Sequence, residues 1–444
     1  MALSNLTGPV VVIDGGDLFG DMPVLPENMR AQVEIKARAQ VQSYAAHGWD
    51  VFVPGEADFA IGTSVFLELM DGVEVAVLAG NLRCDDRSFD GGVVVERGGY
   101  RVGVVGVVSG SYGECEVGDP VVSAIESRTA LGDVDVTVAV VHGPSEVASG
   151  VAEAISPDFL LNGHTSSSIE NPTNSDWGWS IGAGNKGKRL GLLELSWREG
   201  AEGWVWAGGS SRIASQLDRY RERLDSANSA LSSATEVEEG RLQNRVDYYQ
   251  QQVGTLEAQL GTLLGDGEGK NSFAHTLLEM GESIGEDPAT LELITATKLS
   301  IEQSAMEASV DSRSSALPFV GSAVCRGCHT TQWEQWNSTD HSGAWDTLIE
   351  ASRQSDLACF ECHVTGAHHP EGPTHPNNVG VLTGVGCESC HGPRAAHLSA
   401  AASGTLGETA GESQVSLDVC VQCHDGDRDD GDFDAPTYME AVRH

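Results

Sequence analysis

After residue 320 the chain repeats Cys-x-x-Cys-His four times, as Cys325-Cys328-His329, Cys359-Cys362-His363, Cys387-Cys390-His391 and Cys420-Cys423-His424. No other feature restricts the fold as strongly. At this spacing two thiols reach the two vinyl groups of one haem, and the histidine that follows reaches the iron from one side. Four copies in one short stretch imply four covalently bound c-type haems and a route for electrons between them.

Zinc competes for the same residues. Four Cys-x-x-Cys pairs also suit two all-cysteine zinc sites. A zinc knuckle has no need of histidine directly after its second cysteine, however. Histidine is 14 of 444 residues, so four such successors by chance has a probability of roughly one in a million. Ten of the histidines lie after residue 320. Four belong to the motifs, leaving His341, His368, His369, His375, His397 and His444 as sources of a second axial imidazole. The adjacent His368 and His369 also read as solvated surface residues. His341 and His397 fit an axial role best. His341 is expected on a helix with Trp333, Trp336 and Trp345, and His397 on a short helix six residues past the third motif.

Charge narrows the partners. Twenty-six basic and 65 acidic residues give a net charge of −39, which disfavours nucleic acid and favours cationic partners. No run of 18 or more apolar residues suggests a membrane span. Cys84 and Cys115 stand outside the motifs; they either pair or stay as two separate thiols, the second being the simpler reading. Covalent haem attachment takes place outside the cytoplasmic membrane, so a periplasmic or extracellular location is expected. The opening Met-Ala-Leu-Ser-Asn-Leu-Thr-Gly-Pro has no basic and then apolar export segment. The expectation is therefore that the chain is truncated or its start misassigned.

The first 210 residues alternate apolar runs with helical stretches. Residues 10–13, 51–53, 73–78, 101–108 and 134–141 read as buried strands, and 187–197 as a closing one. Helices are expected near 27–47, 62–70, 121–131 and 145–155, which makes an α/β layered domain. Residues 211–270 carry two heptad runs whose phase slips between them. An amphipathic hairpin packed on its own domain is expected there, with a coiled coil between chains as the alternative. Residues 271–317 read as a strand, a helix opening at Asp287-Pro288 and a linker at 312–318. The mainly helical and irregular haem domain occupies 318–444.

Polar ligands follow the strands of the first domain. Asp14 and Asp17 come after the first, Glu56 and Asp58 after the second, His142 after 134–141, and His164 after Phe159–Leu161. Open α/β sheets gather substrate and metal ligands at the carboxyl ends of their strands. Histidines with carboxylates suit metal-assisted phosphoester hydrolysis.

With these residues in place, 10–310 resembles the calcineurin-like metallophosphoesterases, in particular the bacterial 5′-nucleotidases. Gly16-Asp17 matches that family's Gly-Asp block, Gly55-Glu56-Ala57-Asp58 its Gly-Asn-His-Asp/Glu block, His142 its lone histidine, and Gly163-His164-Thr165-Ser166 its Gly-His-x-His block. The resemblance implies one divalent ion, zinc, manganese or iron, held by Asp17, Glu56, His142 and His164. It also implies lost chemistry. The Asp-x-His block is absent, Glu56 replaces a metal-binding asparagine, and Ser166 replaces a histidine. Ala57 replaces the general acid, a group that typically contributes ~10²–10⁴-fold in rate. A vestigial site is expected.

Residues 318–444 resemble the tetrahaem cytochromes c of ammonia-oxidising bacteria, through Val320-Gly321-Ser322, Trp336-x4-His341, Cys362-His363-Val364-Thr365-Gly366 and the run Gly384–Pro393 with His397 beyond. That resemblance implies His341 and His397 as distal ligands, with His375 and His444 as further candidates, and one haem left five-coordinate. The expected function is periplasmic electron transfer between redox protein partners, with a degenerate phosphoesterase domain attached. The alternatives are a working phosphoesterase with an appended cytochrome, and a reductase or oxidase of a small nitrogen or sulfur compound at an open haem. The helical segment offers a route to oligomers.

Overall fold

The computed structural model describes residues 8–232, 234, 239–266, 269–307, 318–406, 415–424 and 433–444. Most of the linker read at 312–318 lies outside them. By contacts the chain divides into two units, Met1–Pro23 with Tyr44–Asp287, and Val24–Ser43 with Pro288–His444.

The first unit is built on parallel strands, as its alternation of β-branched runs and helices requires. Ile13–Asp14, Val51–Phe52 and Ala76–Val77 form one parallel sheet. A six-stranded sheet places Val136–His142 between Tyr100–Val108 and Phe159–Asn162, parallel to both. Val136–His142 is buried at all seven positions. That is the signature of a strand covered on both faces. Helices Pro120–Leu131 and Ser145–Ile155 cover one face, with Ala124, Leu131, Ala148, Val151 and Ile155 packed on Val105, Val107, Ala139 and Val141. Asp119 caps the first of these helices and Pro120 opens it, an arrangement that leaves few orphan N–H groups.

The closing strand Arg189–Ser196 is antiparallel to Asn271–Glu279. Between them the chain makes helices Ala207–Ser232 and Glu239–Asp266. They pack on each other within the chain through Ile213, Leu217 and Leu256, with Tyr220, Val253 and Leu260 around them, and Arg221 meets Glu257 at 2.7 Å. Cys84 and Cys115 are joined in a disulfide, so the simpler reading of two separate thiols gives way to pairing. The strand Leu82–Cys84 lies against Glu116–Val117, and that ladder brings the two residues together.

The second unit is helical and irregular. Pro288–Glu307 opens with proline in its first turn. After residue 318 the helices are short, Thr330–Asn337 and Asp340–Glu350 being typical. Among the described residues after 318, seven apolar side chains are buried (Phe319, Leu348, Leu357, Phe360, Val364, Val379 and Leu382). That core is too thin for so long a stretch of protein alone. Residues 24–43, placed with the first domain by sequence, pack here instead. No helix among the described residues is long and apolar enough to cross a membrane.

Candidate metal centre and haem-binding region

Four strand ends meet in the first unit. Asp17 follows Ile13–Asp14, Glu56 follows Val51–Phe52, His142 ends its own strand, and His164 follows Phe159–Asn162. Two backbone positions make the meeting close. Gly16 has φ +103°, and a Cβ there would lie 2.6 Å from His142 Nδ1; a Cβ on Gly55 would lie 2.1 Å from Asp17 Oδ1. Glycine is the residue that admits both approaches.

The ligand atoms of Asp17, Glu56, His142 and His164 all lie within 4.8 Å of one another. His142, fully buried, holds its Nδ1 2.7 Å from the Gly15 carbonyl. That fixes the Nδ1–H tautomer and turns Nε2 toward the other ligands. His142 Nε2 is 3.3 Å from Asp17 Oδ2, 3.1 Å from Glu56 Oε2 and 3.2 Å from His164 Nδ1. Glu56 Oε2 is buried, and its close polar neighbour is His142 Nε2. Burial alone would lower the His142 pKa, yet the carboxylates of Asp17 and Glu56 hold it up at about 10. A proton thus balances the two carboxylates where a divalent ion would do so more fully. The donor set, two carboxylates and two imidazoles around one point, fits such an ion.

The support beneath is complete. Asp58, fully buried, accepts from the backbone N–H groups of Asp17, Phe19 and Gly55 at 2.8–2.9 Å. It ties the first strand's loop to the second's. Burial pushes its carboxyl up to about 7 against the pull of those N–H groups. Ala57 contributes its backbone N–H, 2.9 Å from Asp17 Oδ1. Tyr112, fully buried with its hydroxyl 3.4 Å from the Pro54 carbonyl, backs the Glu56 turn. Nothing in the sequence pattern singled it out.

In the second unit none of the eight motif cysteines forms a disulfide. Among the described residues, the Asp17 group is the only set of histidine, cysteine and carboxylate ligands close enough together for one metal ion. The motif thiols therefore do not gather as a four-cysteine zinc site requires. Histidines meet instead. The ring of His329 faces that of His397 with centroids 6.3 Å apart; His424 faces His341 at 6.1 Å, and His391 faces His444 at 5.7 Å. An iron bound by two imidazoles, each at a metal–nitrogen distance of about 2 Å, sets ring centroids about 6 Å apart. Three motif histidines therefore each have a second imidazole ring with its centroid 5.7–6.3 Å away, and His424 also has the rings of Tyr438 and Phe433 at 5.0 and 5.9 Å.

The fourth is different. His363 Nδ1 is 2.6 Å from the Ala344 carbonyl, and among the described residues no imidazole ring is paired with it. His375 is buried; its Nδ1 accepts the Asn377 N–H at 3.1 Å, and its Nε2 has no hydrogen-bond partner. His369 packs edge-on against Phe319, and His368 Nε2 lies 4.0 Å from Cys423 Sγ. Trp336 donates to the Val385 carbonyl at 2.8 Å, and Trp345 packs on Phe360.

The motifs also adjoin one another. Burial and the neighbouring Cys387 thiol push Cys325 up to about 11. Burial, with Cys420 and Cys387 nearby, raises Cys390. Cys423 Sγ lies 3.5 Å from the Glu361 carbonyl, inside the second motif. Glu388, between the third motif's cysteines, accepts from the N–H groups of Val320, Gly321 and Arg394 at 2.7–3.0 Å. It binds the lead-in of the first motif to the third.

Residues 324–392 match the family described as cytochrome c554 and c-prime. Cytochrome c-554 of Nitrosomonas europaea is 37% identical over 91 residues, an alignment covering 17% of this chain and 39% of that protein. The chain thus spans well under half the length of that relative. That family implies covalently bound c-type haem. Similar solved structures include a 5′-nucleotidase precursor from Thermus thermophilus (15% identity, TM-score 0.44, 78% of this chain and 59% of that one). The sulfate thiohydrolase SoxB of Thermus thermophilus is another (21%, TM-score 0.36, 42% and 35%). A third is the calcineurin-like phosphoesterase YfkN of Bacillus subtilis (17%, TM-score 0.34, 43% and 72%). The chain therefore carries a cytochrome c554-type segment at its C-terminal end, and the solved neighbours of its N-terminal part are 5′-nucleotidases and calcineurin-like phosphoesterases.

Proposed function

We propose that the protein is an exported electron carrier with four c-type haems, attached through the cysteine pairs 325/328, 359/362, 387/390 and 420/423. His329, His363, His391 and His424 are the proximal ligands. His397, His444 and His341 are the distal ligands opposite His329, His391 and His424. The observation that carries this reading is the set of three facing imidazole pairs at 5.7–6.3 Å. Haem supplies reversible one-electron chemistry; the chain supplies attachment, axial ligands and spacing. The adjacency of the motifs supports an electron path in the order first, third, fourth, second. The disulfide supports a location outside the cytoplasm, where cationic redox proteins would meet a strongly acidic surface.

The unpaired His363 favours a second role at the end of that path, an open iron face for a small ligand. In the N-terminal unit, Asp17, Glu56, His142 and His164 hold one divalent ion in a domain that binds or docks. Ala57 argues against efficient hydrolysis. A pyridine haemochrome assay with metal analysis on the exported protein tests the proposal. Four haems per chain and no zinc in the C-terminal half are expected. Fewer haems, or stoichiometric zinc there, overturn it. Nucleotide hydrolysis abolished by Asp17→Ala would restore the phosphoesterase reading.

A further inference from the structure

Residues 24–43 are some 300 positions from the second motif in sequence, yet they belong to the unit that holds it. Gln32, 5% exposed, uses both ends of its amide there. Its Nε2 donates to the Ser355 carbonyl at 2.8 Å, and its Oε1 accepts the Leu357 N–H at 2.9 Å. Lys36 Nζ lies 2.6 Å from Asp356 Oδ1, the two side chains being 29% and 7% exposed. Asn28 reaches the Thr374 carbonyl at 3.2 Å, beyond the motif on its other side. Asp356 in turn accepts the Ala358 N–H at 3.1 Å with its side chain and the Cys359 N–H at 3.0 Å with its carbonyl. The contacts converge on Cys359, the first thiol of the second motif. Burial raises that thiol's pKa, and the charges of Asp356, Arg353 and Lys36 all act on it.

We propose that residues 24–43 are a working part of the second haem site: Gln32 fixes the 355–357 turn, and the Lys36–Asp356 pair sets the field at the haem bound through Cys359 and Cys362. This rests on the reading that a haem is attached there. None of these side chains belongs to the Cys-x-x-Cys-His motif; they are positioning residues. A field set by a pair has a sign on each side. Removing the cation leaves a buried carboxylate beside the haem, which favours ferric iron and lowers the potential. Neutralising the carboxylate leaves the cation and raises it.

The full-length protein is compared with Lys36→Met, Asp356→Asn, the double variant and Lys36→Arg by spectroelectrochemical titration. One potential of the four is expected to fall in Lys36→Met and rise in Asp356→Asn, each by about tenfold in the one-electron equilibrium constant, or about 59 mV. It returns toward the parent value in the double variant and stays there in Lys36→Arg. Gln32→Ala removes no charge; it is expected to leave every potential in place and to increase deuterium uptake over residues 353–359. Shifts of the same sign in both charge variants, or no shift while four haems are present, overturn the proposal, as does unchanged uptake in Gln32→Ala. Fewer than four haems in the parent protein instead removes the reading on which it rests.

Discussion

The two units use cysteine in opposite ways. In the first, Cys84 and Cys115 bond to each other across 31 residues. In the second, eight thiols stand at close spacing and none forms a disulfide. Histidine divides likewise. His142 points its Nε2 at carboxylates a little over 3 Å away, whereas His329, His391 and His424 each have another imidazole with its ring centroid about 6 Å from their own. The first unit completes its core with its own side chains, and one strand of it buries all seven residues. The described part of the second after residue 318 buries only seven apolar side chains altogether.

The largest way to break that contrast is to remove a thiol pair. Cys387→Ser with Cys390→Ser is expected to lower the haemochrome count from four to three; an unchanged count would sink the assignment of that motif. Next is the axial pairing. His397→Ala is expected to convert one low-spin iron to high spin in electron paramagnetic resonance, and His375→Ala to convert none. A spin change in His375→Ala would move His375 to the second haem. In the first unit, Asp17→Ala removes a ligand outright. Its loss of divalent-ion affinity should exceed the roughly 10–100-fold that outer-shell partners cost, read by calorimetric titration.

Much of both sites was legible in the sequence because their chemistry demands fixed residue types at fixed places. The motif spacing gave the candidate attachment points. The ends of apolar runs gave Asp17, Glu56, His142 and His164, since a parallel sheet gathers its strand ends at one edge. The strand Tyr100–Val108 and the helix beginning at Pro288 were plain from β-branched runs and from proline. What the sequence hid was long-range. The disulfide depends on a ladder between Leu82–Cys84 and Glu116–Val117, strands too short to leave a periodic signal. The placement of residues 24–43 depends on Gln32 and Lys36, polar residues on a helix, where a solvated face is the ordinary expectation. Asp58 and Glu388 work by accepting backbone N–H groups, and no spacing rule reports that.

A smaller effect sharpens the contrast in cysteine. Cys84→Ala with Cys115→Ala opens a loop of 31 residues, and chain-entropy loss alone assigns such a closure about 3–4 kcal/mol. The N-terminal unit's thermal transition should fall while the haem spectrum stays unchanged. Loss of haem along with it would show that the bond serves both units.

The smallest expected effect concerns a histidine outside both sites. His275 lies on the strand Asn271–Glu279, and its Nδ1 is buried without a hydrogen-bond partner. Burial lowers its pKa below the ordinary 6.5, against a backbone contact at Glu170 that raises it. The sign follows from which state binds the proton more readily. Below about pH 6.5 the unfolded chain protonates this ring while the folded chain still resists, so stability falls as pH drops and levels off once the folded ring also titrates. The ring is only about half buried, and solvent screening keeps the contribution under about 1 kcal/mol. His275→Phe removes the proton site. Between pH 7.5 and 5.5 the parent should lose slightly more thermal stability in this unit than the variant does. Equal losses would mean that the ring stays neutral in both states or charges equally in both. The contrast with His142 is then direct. Both histidines belong to one unit, one fully buried and one half-buried, but only the one facing carboxylates is held charged, because only there does the protein supply the opposite charge.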